Sequence, residues 1–65
     1  MNRNAELYNT CILLLQVSRL VKSFDEKFAN EILNKVQEYK DQIVPIDYDT
    51  EMEIKDYADR IREDE

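Results

Sequence analysis

Carboxylates are the only side chains in this sequence numerous enough to do chemistry together. There are 15 Asp and Glu, one Cys and no His. Asp47-x-Asp49-x-Glu51-x-Glu53 alternates carboxylates as the start of a calcium loop does. Such a loop needs Gly at its sixth position and Glu at its twelfth. Counted from Asp47, those positions hold Met52 and Ala58. Glu31 and Glu38 could share a helical face, but di-metal bundles add a Glu-x-x-His motif, which a chain without His cannot supply. One Cys and no His cannot build a zinc shell or a Cys-His nucleophile. Cys11 has no second Cys in its own chain and lies in an apolar run, where a lone Cys reads as a small buried hydrophobe. The absence of Gly removes the phosphate-cradling loops. We therefore expect no catalytic residue, no cofactor and no metal, and a protein that is not an enzyme.

The elements that position these residues follow from length and periodicity. The chain has 65 residues, enough for one domain. A chain this short buries roughly 60% of its unfolded surface and is marginal alone. With no disulfide or zinc site, self-association or partner binding remains as the way to complete a core. The 43% apolar content, arranged periodically, argues against disorder.

The spacing predicts an all-α fold: a helical hairpin of two longer helices plus a short third helix. The first helix is expected over 4–22. Its apolar residues Leu7, Cys11, Leu13, Leu14, Leu15, Val17, Leu20 and Val21 cover an arc of about 220°, where one neighbour needs little more than 100°. A second copy is the expected extra neighbour, giving a homodimeric helical bundle centred on Leu13, Leu14, Val17, Leu20 and Val21. Ser23 and Glu26 read as a capping box opening a second helix over 24–43. Phe28, Ala29, Ile32, Leu33, Val36, Tyr39 and Ile43 fall within about 140° on it. Pro45 ends that helix, because it pushes Val44 out of the α region. Residues 44–49 form the loop, with Val44, Ile46 and Tyr48 expected to fold back over the helices. Thr50 and Glu53 read as a second capping box before a helix over 51–62, and 63–65 as a frayed acidic tail. The expected intrachain core is Phe24, Phe28, Ile32, Val36, Tyr39, Ile54, Tyr57 and Ile61.

Charge is divided unevenly. Residues 1–46 hold six acids and six bases, while 47–65 hold nine acids and three bases, so the net charge of −6 comes from the last third. Ordinary i,i+4 pairs are expected at Lys27–Glu31, Glu31–Lys35, Glu51–Lys55 and Asp56–Arg60. Glu53, Asp56 and Asp59 form a candidate acidic face for a basic partner. Direct nucleic-acid binding is disfavoured by this sign and by the interleaving of the remaining bases with acids. The apolar run from Cys11 is too short and interrupted to span a membrane. Arg3 precedes it, but Glu6 and the lack of a small-x-small site argue against a signal peptide. These features lead us to expect a cytoplasmic regulatory or accessory protein of bacterial or phage type, acting by protein–protein interaction. Two other readings stand beside it. One is an acidic charge mimic that inhibits a nucleic-acid-binding protein, and the other is a structural subunit of a larger assembly.

Overall fold

Every helix opens with amide groups that lack an intrahelical acceptor. Three short polar side chains supply acceptors here. Asn2 accepts from the amides of Asn4 and Ala5, and Asp25 accepts from the amide of Phe28 at 3.0 Å. Asp47 accepts from the amide of Thr50 at 3.2 Å and from its hydroxyl at 2.6 Å. The computed structural model describes residues 2–63 and is all-helical, with no strand among the described residues. Its elements are α1 (Arg3–Val21), α2 (Glu26–Asp41) and α3 (Tyr48–Glu63).

These caps correct the expected boundaries. Ser23 does not open α2. The amides of Phe24 and Asp25 both turn back to the carbonyl of Val21, at 3.0 and 2.7 Å, so the winding of α1 consumes residues 22–24. Asp25, with φ −150° and ψ 76°, is the first residue free to cap. Thr50 does not open α3 either. It donates to Asp47, and α3 begins at Tyr48 rather than Glu51. The helix runs on through Glu63, while the rest of the expected tail, 64–65, lies outside the described residues. α2 stops at Asp41 rather than Ile43. The Gln42 and Ile43 amides tighten onto the carbonyls of Tyr39 and Lys40, and Pro45 prevents further winding. The Val44–Pro45 bond is cis, and no described residue has positive φ. Both connections are therefore made without the left-handed geometry that would call for Gly.

The core forms where small residues let helices approach. Cys11, Leu15 and Ser18 of α1 are fully buried, against Ala29, Leu33 and Val36 of α2. The Cys11 thiol donates to the carbonyl of Val36 at 3.7 Å, and the Ser18 hydroxyl to that of Ala29 at 2.9 Å. Moving up α1 from Cys11 to Ser18 thus moves back along α2 from Val36 to Ala29. Ile54, Ala58 and Ile61 of α3 close this core, and Ile43 joins it beyond the end of α2.

Polar ties then fix the third helix and the loop. Tyr8 donates its hydroxyl to Glu53, and Lys22 donates its ammonium to the carbonyls of Ile61 and Arg62. The end of α3 is where a helix dipole favours a cation. Lys40, buried on α2, meets Glu51 of α3 at 3.6 Å. Arg3 donates to the side chain of Gln42 at 2.6 Å, and Asn4 to the carbonyl of Val44 at 3.1 Å. Of the loop's apolar members, only Ile46 packs on the core; Val44 and Tyr48 are exposed. Among the described residues none of the four expected i,i+4 pairs forms. The ion pairs there are Lys35–Glu38, Lys40–Glu51, Lys55–Asp59 and Arg62–Asp59. No helix of the described residues is long and apolar enough to cross a membrane.

Candidate protein-docking face

α1 has a second apolar side that its own chain leaves open. Leu13 is 61% exposed, Val17 41% and Leu20 66%. Their spacing places them on one side of the helix, opposite the Cys11–Leu15–Ser18 stripe. The hydrogen bond from the Asp25 amide to the Val21 carbonyl carries the helical winding past α1. Phe24 thereby continues the Leu13–Val17–Leu20 ridge, and it is 78% exposed.

A groove lies between α1 and α2. Leu14 of α1 and Phe28, Ile32 and Tyr39 of α2 line an open, largely apolar trough of about 590 Å³, with Glu31, Lys35 and Glu38 at its rim. No α3 residue lines it. α3 covers the other side of α2, where Leu33, Val36 and Lys40 face Ile54 and Ala58. The molecule measures 35 × 21 × 14 Å between its Cα atoms. Its least dimension is about that of two helix layers. α3 thus forms one cover on the α1–α2 layer, and neither the exposed ridge nor the groove has one.

The expected site residues divide accordingly. Of the expected oligomer interface, Leu13, Val17 and Leu20 are exposed, while Leu14 and Val21 are half-buried against the chain's own core. Of the expected core, Ile32, Val36, Ile54 and Ile61 are buried, and Tyr39 and Tyr57 pack against them half-buried. Phe24 and Phe28 are corrections: both are exposed, Phe28 at 46%. Phe24 falls in the turn rather than in α2, and Phe28 sits at the edge of the α2 face whose centre is Ala29 and Val36. Ser18 and Lys40 are buried polar residues, and their phase places both on the core-facing side of their helices.

The acidic residues are less available than the sequence suggests. Glu53 accepts from Tyr8, and Asp59 is held by Lys55 at 3.2 Å and Arg62 at 3.6 Å. Asp56 is exposed. The short acceptor contact with Glu53 raises the Tyr8 pKa above its ordinary value, with burial and the Glu53 charge adding to it. Burial raises the pKa of the Cys11 thiol, and the nearby Lys40 charge partly opposes it. A thiol so buried and held protonated is inert. The Thr50 hydroxyl, then its amide, hold the Asp47 carboxyl below its ordinary range. Among the described residues no group of three or more His, Cys, Asp or Glu side chains is placed to hold a metal ion. No protein-family model, no curated protein and no solved structure matches this chain.

Proposed function

We propose that this chain is a non-enzymatic interaction module that binds protein through the open face of its α1–α2 hairpin, and that it self-associates there into a homodimeric bundle. The observation that carries this reading is the exposed ridge Leu13–Val17–Leu20–Phe24 beside the Leu14–Phe28–Ile32–Tyr39 groove. Apolar side chains scattered singly on a surface need no explanation, but a ridge of four large ones at helical spacing marks an interaction site. A ridge of side chains at helical spacing beside a groove between two helices is also the geometry by which helices pack. A protein of this kind acts as a small regulatory or accessory factor, through what it binds rather than what it converts.

The charge-mimic reading has less support. Two of its three carboxylates, Glu53 and Asp59, are already engaged within the chain. Salt separates the two. Apolar association should hold or strengthen between about 0.1 and 1 M salt, whereas binding through exposed carboxylates should weaken steeply. Sedimentation equilibrium across that range reads self-association directly. Dissociation of the complex at high salt would contradict the apolar face as its seat.

A further inference from the structure

The open face has one occupant that its area and charge both favour, which is a second copy in one particular orientation. We propose that two chains pair their α1 helices antiparallel about a twofold axis passing beside Val17, so that Leu13 of each packs against Leu20 of the other. This rests on the reading of the face as a self-association surface and deepens it.

Area comes first. Whole aromatic side chains measure about 150–250 Å², and on that scale the exposed parts of Leu13, Val17, Leu20, Phe24 and Phe28 come to on the order of 500 Å². A stable complex of standard size covers about 800 Å² per partner, somewhat over half of it apolar. These five side chains match that apolar share. The remainder would come from the half-buried Leu14, Val21 and Tyr39 and from the polar rim.

Charge then selects the occupant. Both signs of charge stand at the rim of the groove, in Glu31, Lys35 and Glu38. A surface of mixed sign can meet itself with opposite charges opposed. α3, which holds six acids against three bases, lies on the opposite side of the α1–α2 layer. Pairing through the open face therefore keeps the two α3 helices, each of net negative charge, apart. A strongly basic partner would instead be drawn to α3.

Orientation follows from the ends of the ridge. Glu6 lies at one end of this side of α1 and Phe24 at the other. A parallel pair sets Glu6 near Glu6 and aligns the two helix dipoles. An antiparallel pair separates the two Glu6 carboxylates and opposes the dipoles. A twofold interface must also be self-complementary. Leu13 and Leu20 flank Val17 on either side, so an antiparallel pair about Val17 keeps leucine on leucine at both contacts, as 13 on 20.

The test uses two variants at exposed positions, Leu13→Glu and Leu20→Lys, each checked for helicity by circular dichroism. Light scattering coupled to size exclusion reads the mass of wild type, of each variant and of their equimolar mixture. The antiparallel pair predicts a dimeric wild type, two monomeric variants and a mixture that returns to the dimer. In the mixed dimer the carboxylate introduced on one chain meets the ammonium introduced on the other, while leucine still meets leucine at the second contact. A dimeric wild type whose variants stay monomeric when mixed overturns the register and leaves the docking face standing. A monomeric wild type, or variants that remain dimeric alone, overturns both. Should either charged variant lose its helicity, mixed Leu13→Cys and Leu20→Cys chains decide the same point. Oxidation should link position 13 to position 20 in preference to 13 to 13 or 20 to 20, and the reverse preference overturns the proposal.

Discussion

The Ser18 hydroxyl donates to the backbone carbonyl of Ala29 across 2.9 Å, inside a contact where neither side chain meets water. Two small side chains at one crossing let α1 and α2 approach closely, and the hydroxyl satisfies itself on the facing backbone. Overpacking this point should cost more than unmaking the bond. Ala29→Leu should destabilise by about 1–3 kcal/mol, and Ser18→Ala by about 1 kcal/mol. Urea denaturation of the two variants checks the order, and a milder effect from Ala29→Leu would count against close approach here.

The turn between α1 and α2 holds two candidate caps, and only one is used. Asp25→Ala should lose about 1 kcal/mol. Ser23→Ala should stay within about 0.5 kcal/mol of wild type, as exposed substitutions away from special features do. The same denaturation series separates them. The reverse order would restore the capping box that begins at Ser23.

Phe24 and Leu15 make a second contrast. Leu15 is fully buried, so Leu15→Ala should cost about 2–5 kcal/mol, a large part of the stability of so small a chain. Phe24 lies on the open face. Phe24→Ser should leave helicity intact at low concentration and shift the dissociation of the dimer to higher concentration. Sedimentation and circular dichroism on the two variants read mass and folding separately.

Acid should act through Asp47. Its folded pKa lies below the ordinary 3.8 because the Thr50 hydroxyl and amide donate to the carboxylate. A depressed folded pKa stabilises fully above the unfolded value, and that contribution disappears as pH falls through the folded one. Asp47→Ala should therefore lower the thermal midpoint at neutral pH, and its deficit should shrink below about pH 4. Tyr8 behaves in the opposite sense. Its raised pKa stabilises fully below the ordinary 10.0 and loses that effect as pH rises through the folded value. Tyr8→Phe should differ most from wild type below about pH 10.

The helical class and the apolar side of α2 were legible in the sequence because periodicity reports them directly. Ile32, Val36, Ile54 and Ile61 followed from spacing alone. The orientation of α1 did not. Its apolar arc is wide enough to face either way, and the side turned inward is marked by Cys11 and Ser18, whose small size matters more than their polarity. Caps were misplaced where two capable residues stand close together, at Ser23 and Asp25 and again at Asp47 and Thr50. Spacing cannot say where the preceding turn finishes. Lys40 has the phase of a core residue on α2, and a lysine serves there because its four-carbon stem packs beside Leu33 and Ile54 while its ammonium reaches Glu51. The exposed Phe24 and Phe28 follow from the same limit. An aromatic side chain next to a core looks like part of it until the helix register is known, and that register turns both rings to the open face.

The central claim is that this face is covered by a second chain. It is tested most directly by the solution mass of the wild-type protein over a concentration series, by light scattering coupled to size exclusion. Pairing through α1 gives a species of about twice 7.8 kDa that dissociates only on dilution. A single 7.8 kDa species at every concentration would contradict it.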